Sequence, residues 1–70
     1  MPAPSSAFLK LCHLADASGL TVDLEVYGTE DGPLWVLVAG NDERRVAAQA
    51  HAHDIGDVLG GMADAILDAI

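Results

Sequence analysis

Basic side chains are scarce in this sequence. Three Lys and Arg face eleven Asp and Glu over 70 residues, leaving a formal charge of -8. A field of that sign repels phosphate backbones and anionic lipid and attracts basic surfaces, so direct contact with nucleic acid or a membrane is disfavoured. Cysteine is nearly missing, and the lone Cys12 excludes an intrachain disulfide. No apolar run approaches the ~20 residues that a membrane-spanning helix requires. The opening Met1-Pro2-Ala3-Pro4-Ser5-Ser6 lacks the charged and apolar regions of a secretory signal. The expected compartment is the cytoplasm of a host cell. With one Trp, one Tyr and one Phe, any core must be aliphatic. A single domain of this length buries only roughly 60% of the surface its unfolded chain exposes, and a homodimer would add to that.

Catalytic signatures are also lacking. Phosphate-loop and dinucleotide fingerprints do not occur, and Gly60-Gly61 is neither. Cys12 falls on an apolar helical stripe beside Phe8 and Leu11, where a thiol is an inert filler. Asp23 and Glu25 have acid/base spacing only loosely, with nothing to bury either one and separate their pKa values. His51, His53 and Asp54 place two imidazoles about 6.6 Å apart if they continue a strand. A further ligand would have to come from Asp54 itself or from His13. We read this cluster as a solvated strand end, and expect no metal, no cofactor and no enzymatic activity.

What the sequence does contain is a hairpin. From Thr21 to Tyr27, Val22, Leu24 and Val26 alternate with Thr21, Asp23, Glu25 and Tyr27, the period of a half-buried strand. Gly28-Thr29-Glu30-Asp31-Gly32-Pro33 has the residues of a reversal. Leu34 to Ala39 is apolar at every position and suits the centre of a sheet, whereas the charged face of the first strand suits an edge.

Around the hairpin, Ser5 or Ser6 can cap a helix from about Ala7 to Ser18. Its apolar stripe is Phe8, Leu11, Cys12 and Ala15, and Gly19 supplies the left-handed stop. After a turn at Gly40-Asn41-Asp42-Glu43, Arg44 to His53 alternates as a third strand, although its alanines favour a helix by propensity. Asp54 caps a last helix whose stripe is Ile55, Val58, Leu59, Met62, Ile66 and Ile70, with Asp57, Gly61, Asp64 and Asp68 opposite. Gly60-Gly61 weakens that helix and implies close packing or a bend. The expectation is one α+β domain over residues 1–70, with 1–5 as a flexible lead-in. Its order is α-β-β-β-α, a three-stranded antiparallel meander with both helices packed on one face.

That order and length are similar to a double-stranded RNA-binding domain. Where that family has lysines at the start of its last helix, this chain has Asp54-Ile55-Gly56-Asp57, so the topology carries over and the activity does not. The acids themselves form a pattern: Asp23 and Glu25 on a strand, Glu30-Asp31 and Asp42-Glu43 in the turns, and Asp57, Asp64 and Asp68 on the exposed side of the last helix. One reading of them is that they keep a small apolar protein soluble, the other that they form a binding array. Carboxylates two apart on a strand stand about 6.6 Å from one another, which resembles the spacing of phosphates along a nucleic-acid strand. If Trp35 and Leu37 share the uncovered sheet face with Tyr27, Arg45 and His51, an aromatic anchor stands among the charges.

Size, charge, a compact α/β build and the helix-to-strand opening FLKLCHLADASGLTVDLEVYG resemble the small acidic anti-CRISPR proteins that phages and mobile elements use against type I systems. The resemblance implies a DNA mimic whose partner is a basic nucleic-acid-binding host protein, such as a surveillance-complex subunit. It carries over no functional residue. The candidate partner-binding residues, from the residue reading alone, are Asp23, Glu25, Tyr27, Glu30, Asp31, Trp35, Asp42 and Glu43. The other reading is a small homodimeric accessory or assembly protein whose apolar sheet face or glycine-bearing last helix is the subunit contact.

Overall fold

The computed structural model describes residues 6–70; the lead-in at 1–5, with Ser5 as a candidate cap, lies outside the described residues. Helix α1 spans Ser6–Ser18, followed by β1 (Thr21–Thr29), β2 (Gly32–Gly40) and β3 (Arg45–His51). A single 3-10 turn at Ile55–Asp57 leads into α2 (Leu59–Ala69). The strands form one antiparallel sheet in the order β1-β2-β3, which is the α-β-β-β-α meander expected of an α+β fold.

Each element ends for a local reason. Gly19 takes φ +71, and the N–H of Leu20 donates to the carbonyl of Ala15 at 2.8 Å, closing α1 with a left-handed glycine stop. The β1–β2 reversal is tighter than the glycines suggest, because Gly28 pairs with Pro33 and Thr29 with Gly32, leaving only Glu30-Asp31 in the turn. Gly32 takes φ +108, and the Thr29 hydroxyl donates to its carbonyl at 2.6 Å. Proline is tolerated in the central strand because residue 33 lies level with the end of β3. Its carbonyl accepts the N–H of Ala52, just past His51, and the carbonyl of Ala52, to which proline has no N–H to offer, accepts the Trp35 indole N–H instead. In the second turn the Asn41 side-chain oxygen accepts from the N–H groups of Glu43 and Arg44 at 2.8 and 2.9 Å.

Alanine-rich β3 is a strand despite its helix propensity. Pairing with β2 sets Val46, Ala48 and Ala50 beside Ala39, Leu37 and Trp35, where packing outweighs the propensity of isolated residues. The last helix differs from its expected form. Asp54 does cap, its carboxylate accepting from the N–H of Gly56 at 3.0 Å, but what it caps is the 3-10 turn, and α2 proper starts at Leu59. Gly60 and Gly61 therefore sit in the first turn of α2 rather than its middle. A Cβ on Gly61 would meet nothing within 4 Å, so close packing does not explain that glycine.

Leu11 and Ala15 from α1, Leu37 and Ala39 from β2, and Met62, Ala63 and Ile66 from α2 make up the buried core. Phe8, Val22, Trp35, Val46 and Ala48 pack around it. Register decides which sheet face this is. The rows Val22–Ala39–Val46, Leu24–Leu37–Ala48 and Val26–Trp35–Ala50 are apolar throughout and point to the helical side, where their β2 and β3 members pack on or around the core. The expected placement of Trp35 and Leu37 on the uncovered face is thereby corrected. Leu37 is fully buried, and the Trp35 indole N–H donates to the carbonyl of Ala52 at 2.9 Å. Leu34, Val36 and Val38 occupy the uncovered face instead.

Candidate protein-binding surface

The uncovered face is built from the alternate rows of the same ladder. Tyr27–Leu34–His51, Glu25–Val36–Gln49, Asp23–Val38–Ala47 and Thr21–Gly40–Arg45 cross it from β1 to β3. Its middle is a half-buried aliphatic line, Leu34, Val36 and Val38, and its two margins are polar. The β1 margin is acidic.

Along that margin Asp23 and Glu25 stand two residues apart and exposed, and Tyr27 follows on the same face. The Tyr27 hydroxyl donates to the Glu25 carboxylate, laying the ring along the strand. That bond, backed by the negative charge of Glu25, raises the tyrosine pKa above its ordinary 10.0. Glu30 and Asp31 continue the series at one end of the sheet, in the β1–β2 turn. Asp42 and Glu43 stand at the other end, in the β2–β3 turn, and all four are exposed. The nine residues of β1 give this margin a length of about 30 Å at ~3.3 Å per residue.

Cations enter the picture at one end only. Arg45 lines a shallow depression of about 130 Å³ together with Thr21, Asp23, Val38, Asn41 and Asp42, so two acidic residues and one arginine border it. Arg44 turns the other way: its guanidinium donates to the carbonyl of Ala69 at 3.3 Å, meeting the negative end of α2. The remaining acids Asp16, Asp54, Asp57, Asp64 and Asp68 are exposed on the helical layer and its approach.

Of the residues read from the sequence, Asp23, Glu25 and Tyr27 thus share the uncovered face of β1, Glu30 and Asp31 lie in the β1–β2 turn, and Asp42 and Glu43 lie in the β2–β3 turn at the opposite end of the sheet. Trp35 does not join them. The sequence reading also passed over the aliphatic line Leu34, Val36 and Val38, and the exposure of Leu24 and Val26. Those two point to the helical side, yet 42% and 52% of their surface remains accessible because the helices stop short of this part of β1.

Among the described residues no group of three or more His, Cys, Asp or Glu is placed to hold a metal. β3 ends at His51, so His53 does not continue the strand and the two imidazoles do not share a ladder. Cys12 is half-buried on α1. No helix among the described residues is long and apolar enough to cross a membrane. Comparison of the chain with protein-family models, curated proteins and solved structures finds no match.

Proposed function

We propose that this chain is a non-enzymatic acidic inhibitor that binds a basic, nucleic-acid-binding surface of a host protein complex, acting as a DNA mimic of the anti-CRISPR kind. One observation carries the reading: Asp23 and Glu25 stand side by side on the uncovered face of β1, and Glu30-Asp31 and Asp42-Glu43 are exposed in the turns at the two ends of the sheet. Carboxylates scattered for solubility alone need no such alignment. Held on a paired strand, Asp23 and Glu25 meet Lys and Arg with a backbone that is already ordered, and each contact is charge-assisted. The aliphatic line beside them, with the ring of Tyr27, supplies the apolar area from which a protein interface takes its affinity. The charges supply steering.

The test is capture from a host lysate with the purified protein as bait. The expected prey are nucleic-acid-binding proteins that DNA displaces and that leave the bait as salt rises from ~0.05 to ~0.5 M. A bait carrying Asp23→Lys with Glu25→Lys, folded by circular dichroism, is expected to lose them. Capture that ignores both the charge reversal and added DNA would discard the proposal.

A further inference from the structure

An antiparallel ladder sends the backbone polar groups of successive residues alternately to the two sides of a strand. In β2 the carbonyl of Pro33 accepts from Ala52 at 3.1 Å, so the groups of residue 33 face β3. Alternation then turns Trp35, Leu37 and Ala39 towards β3, and Leu34, Val36 and Val38 towards β1. The β1 residues opposite the latter three are Tyr27, Glu25 and Asp23. It follows that Val22, Leu24, Val26 and Gly28 direct their N–H and C=O groups away from β2. β1 is an outer strand of the sheet, so these groups form an open template along it.

The side chains beside this template alternate in kind. Asp23 and Glu25 stand on the uncovered face, Leu24 and Val26 on the helical side, and the two apolar ones are the large exposed aliphatics of the strand. We propose that β1 is a docking edge for an extended segment of a partner protein in which basic and apolar residues alternate, added to the sheet as a fourth strand. Opposite residues of paired strands share a face with their Cβ atoms about 4.5–5.5 Å apart. Lys or Arg in the added strand would meet Asp23 and Glu25, while its apolar residues would cover Leu24 and Val26. Main-chain bonds supply affinity in such additions, and the alternate side chains supply selectivity.

A second copy of this chain fits the edge poorly. Antiparallel pairing of two β1 strands about their centre sets Glu25 against Glu25, and each copy brings a charge of -8. The proposal rests on the reading of the acidic margin as a partner site and narrows it, since the partner must offer a strand rather than a helix or a preformed cleft.

The probe is a peptide of alternating lysine and valine, about as long as an ordinary strand of ~6 residues. On binding, amide exchange at Val22, Leu24, Val26 and Gly28 is expected to slow. Two N-methylated forms of the peptide then separate strand addition from plain charge attraction. Methyl groups on one set of alternate residues block the amides that face β1, whereas methyl groups on the other set leave them free. The first form is expected to bind about tenfold or more weakly than the second, having lost two or three main-chain bonds. Val26→Pro supplies the same contrast in the protein. It removes an outward N–H at an exposed edge position where proline is tolerated, leaves every charge in place, and is expected to weaken the unmodified peptide similarly.

If both methylated forms bind alike while Asp23→Lys with Glu25→Lys abolishes binding, strand addition is wrong and the acidic surface stands. If the contrast between methylated forms survives that charge reversal undiminished, the acidic reading fails, and the basic half of the proposed pattern fails with it. Protection of the edge amides that rises with protein concentration in the absence of peptide would identify a second copy as the occupant and overturn the proposal.

Discussion

Tyr27 and Glu25 occupy successive outward positions of β1 and are joined through the phenol hydroxyl, which makes the tyrosine a reporter for the acidic margin. Hydrogen bonding to the carboxylate, with its charge behind it, raises the Tyr27 pKa, so the folded chain holds this proton more tightly than the unfolded chain does. The stabilisation is fully present below the unfolded value of 10.0 and is lost as pH climbs through the higher folded value. Phenolate absorbance should accordingly rise with a midpoint above 10.0 in the native protein, and Glu25→Ala should bring that midpoint back down. A midpoint unchanged by the substitution would mean that the pair is not formed in solution. Burial gives a second contrast at the same scale. Leu37 is fully enclosed, and Leu37→Ala should cost about 2–5 kcal/mol, roughly half of the ~4–10 kcal/mol expected of a domain this small. Val26→Ala removes atoms from a half-exposed side chain and should change the urea midpoint by less than ~0.5 kcal/mol equivalent.

At the scale of elements, two glycines predict opposite outcomes for one substitution. A Cβ on Gly40 would lie 2.6 Å from the carbonyl oxygen of Arg44 and 2.8 Å from the Cα of Arg45, both of them backbone atoms of the tight β2–β3 turn. Gly40→Ala must therefore open that turn, and a loss of about 1–3 kcal/mol is expected in urea unfolding. Gly61 in α2 has open space where its Cβ would go and no positive φ. Gly61→Ala should stabilise by about 0.5–1 kcal/mol, as the unfolded chain loses freedom that the helix does not use. The elements themselves were legible because each carries its own period: alternation in β1, the Leu11 and Ala15 stripe in α1, the Met62 and Ile66 stripe in α2. The facing of β2 was not legible from β2 alone, since Leu34, Val36 and Val38 are as apolar as Trp35, Leu37 and Ala39. The information lay across the hairpin. Counting outward from the centre of the turn pairs Tyr27 with Leu34 and Val26 with Trp35, which puts the tryptophan in the apolar row. The break between the 3-10 turn and α2 left a fainter trace, because Asp54 caps equally well whether one turn or many follow it. The exposure of Leu24 and Val26 left none, since it depends on how far the helices reach over β1.

The whole molecule measures 35 × 31 × 16 Å, a sheet with one layer of helices. Its acids are spread over both faces of that thin body, so at low salt a carboxylate on one side still acts on those of the other. The screening length is about 30 Å at 0.01 M ionic strength, nearly twice the thickness, and falls to about 3 Å at 1 M. With eleven acidic groups and three Lys and Arg, the net Coulomb term in the folded state is repulsive, and compaction makes it worse than in the expanded unfolded chain. Adding sodium chloride from ~0.01 to ~0.5 M should therefore raise the urea midpoint. Chloride is the salt to use, because sulfate strengthens apolar burial in its own right and would mimic the effect. Binding of a basic partner along β1 must respond with the opposite sign, since screening removes attraction there as it removes repulsion within the fold. A protein that grows more stable while its partner is released over one salt titration would show both consequences of a single charge distribution. A midpoint that falls with added chloride would mean that local attraction, as between Arg45 and the acids that share its depression, outweighs the net charge. The acidic margin would then be closer to neutral than its composition implies.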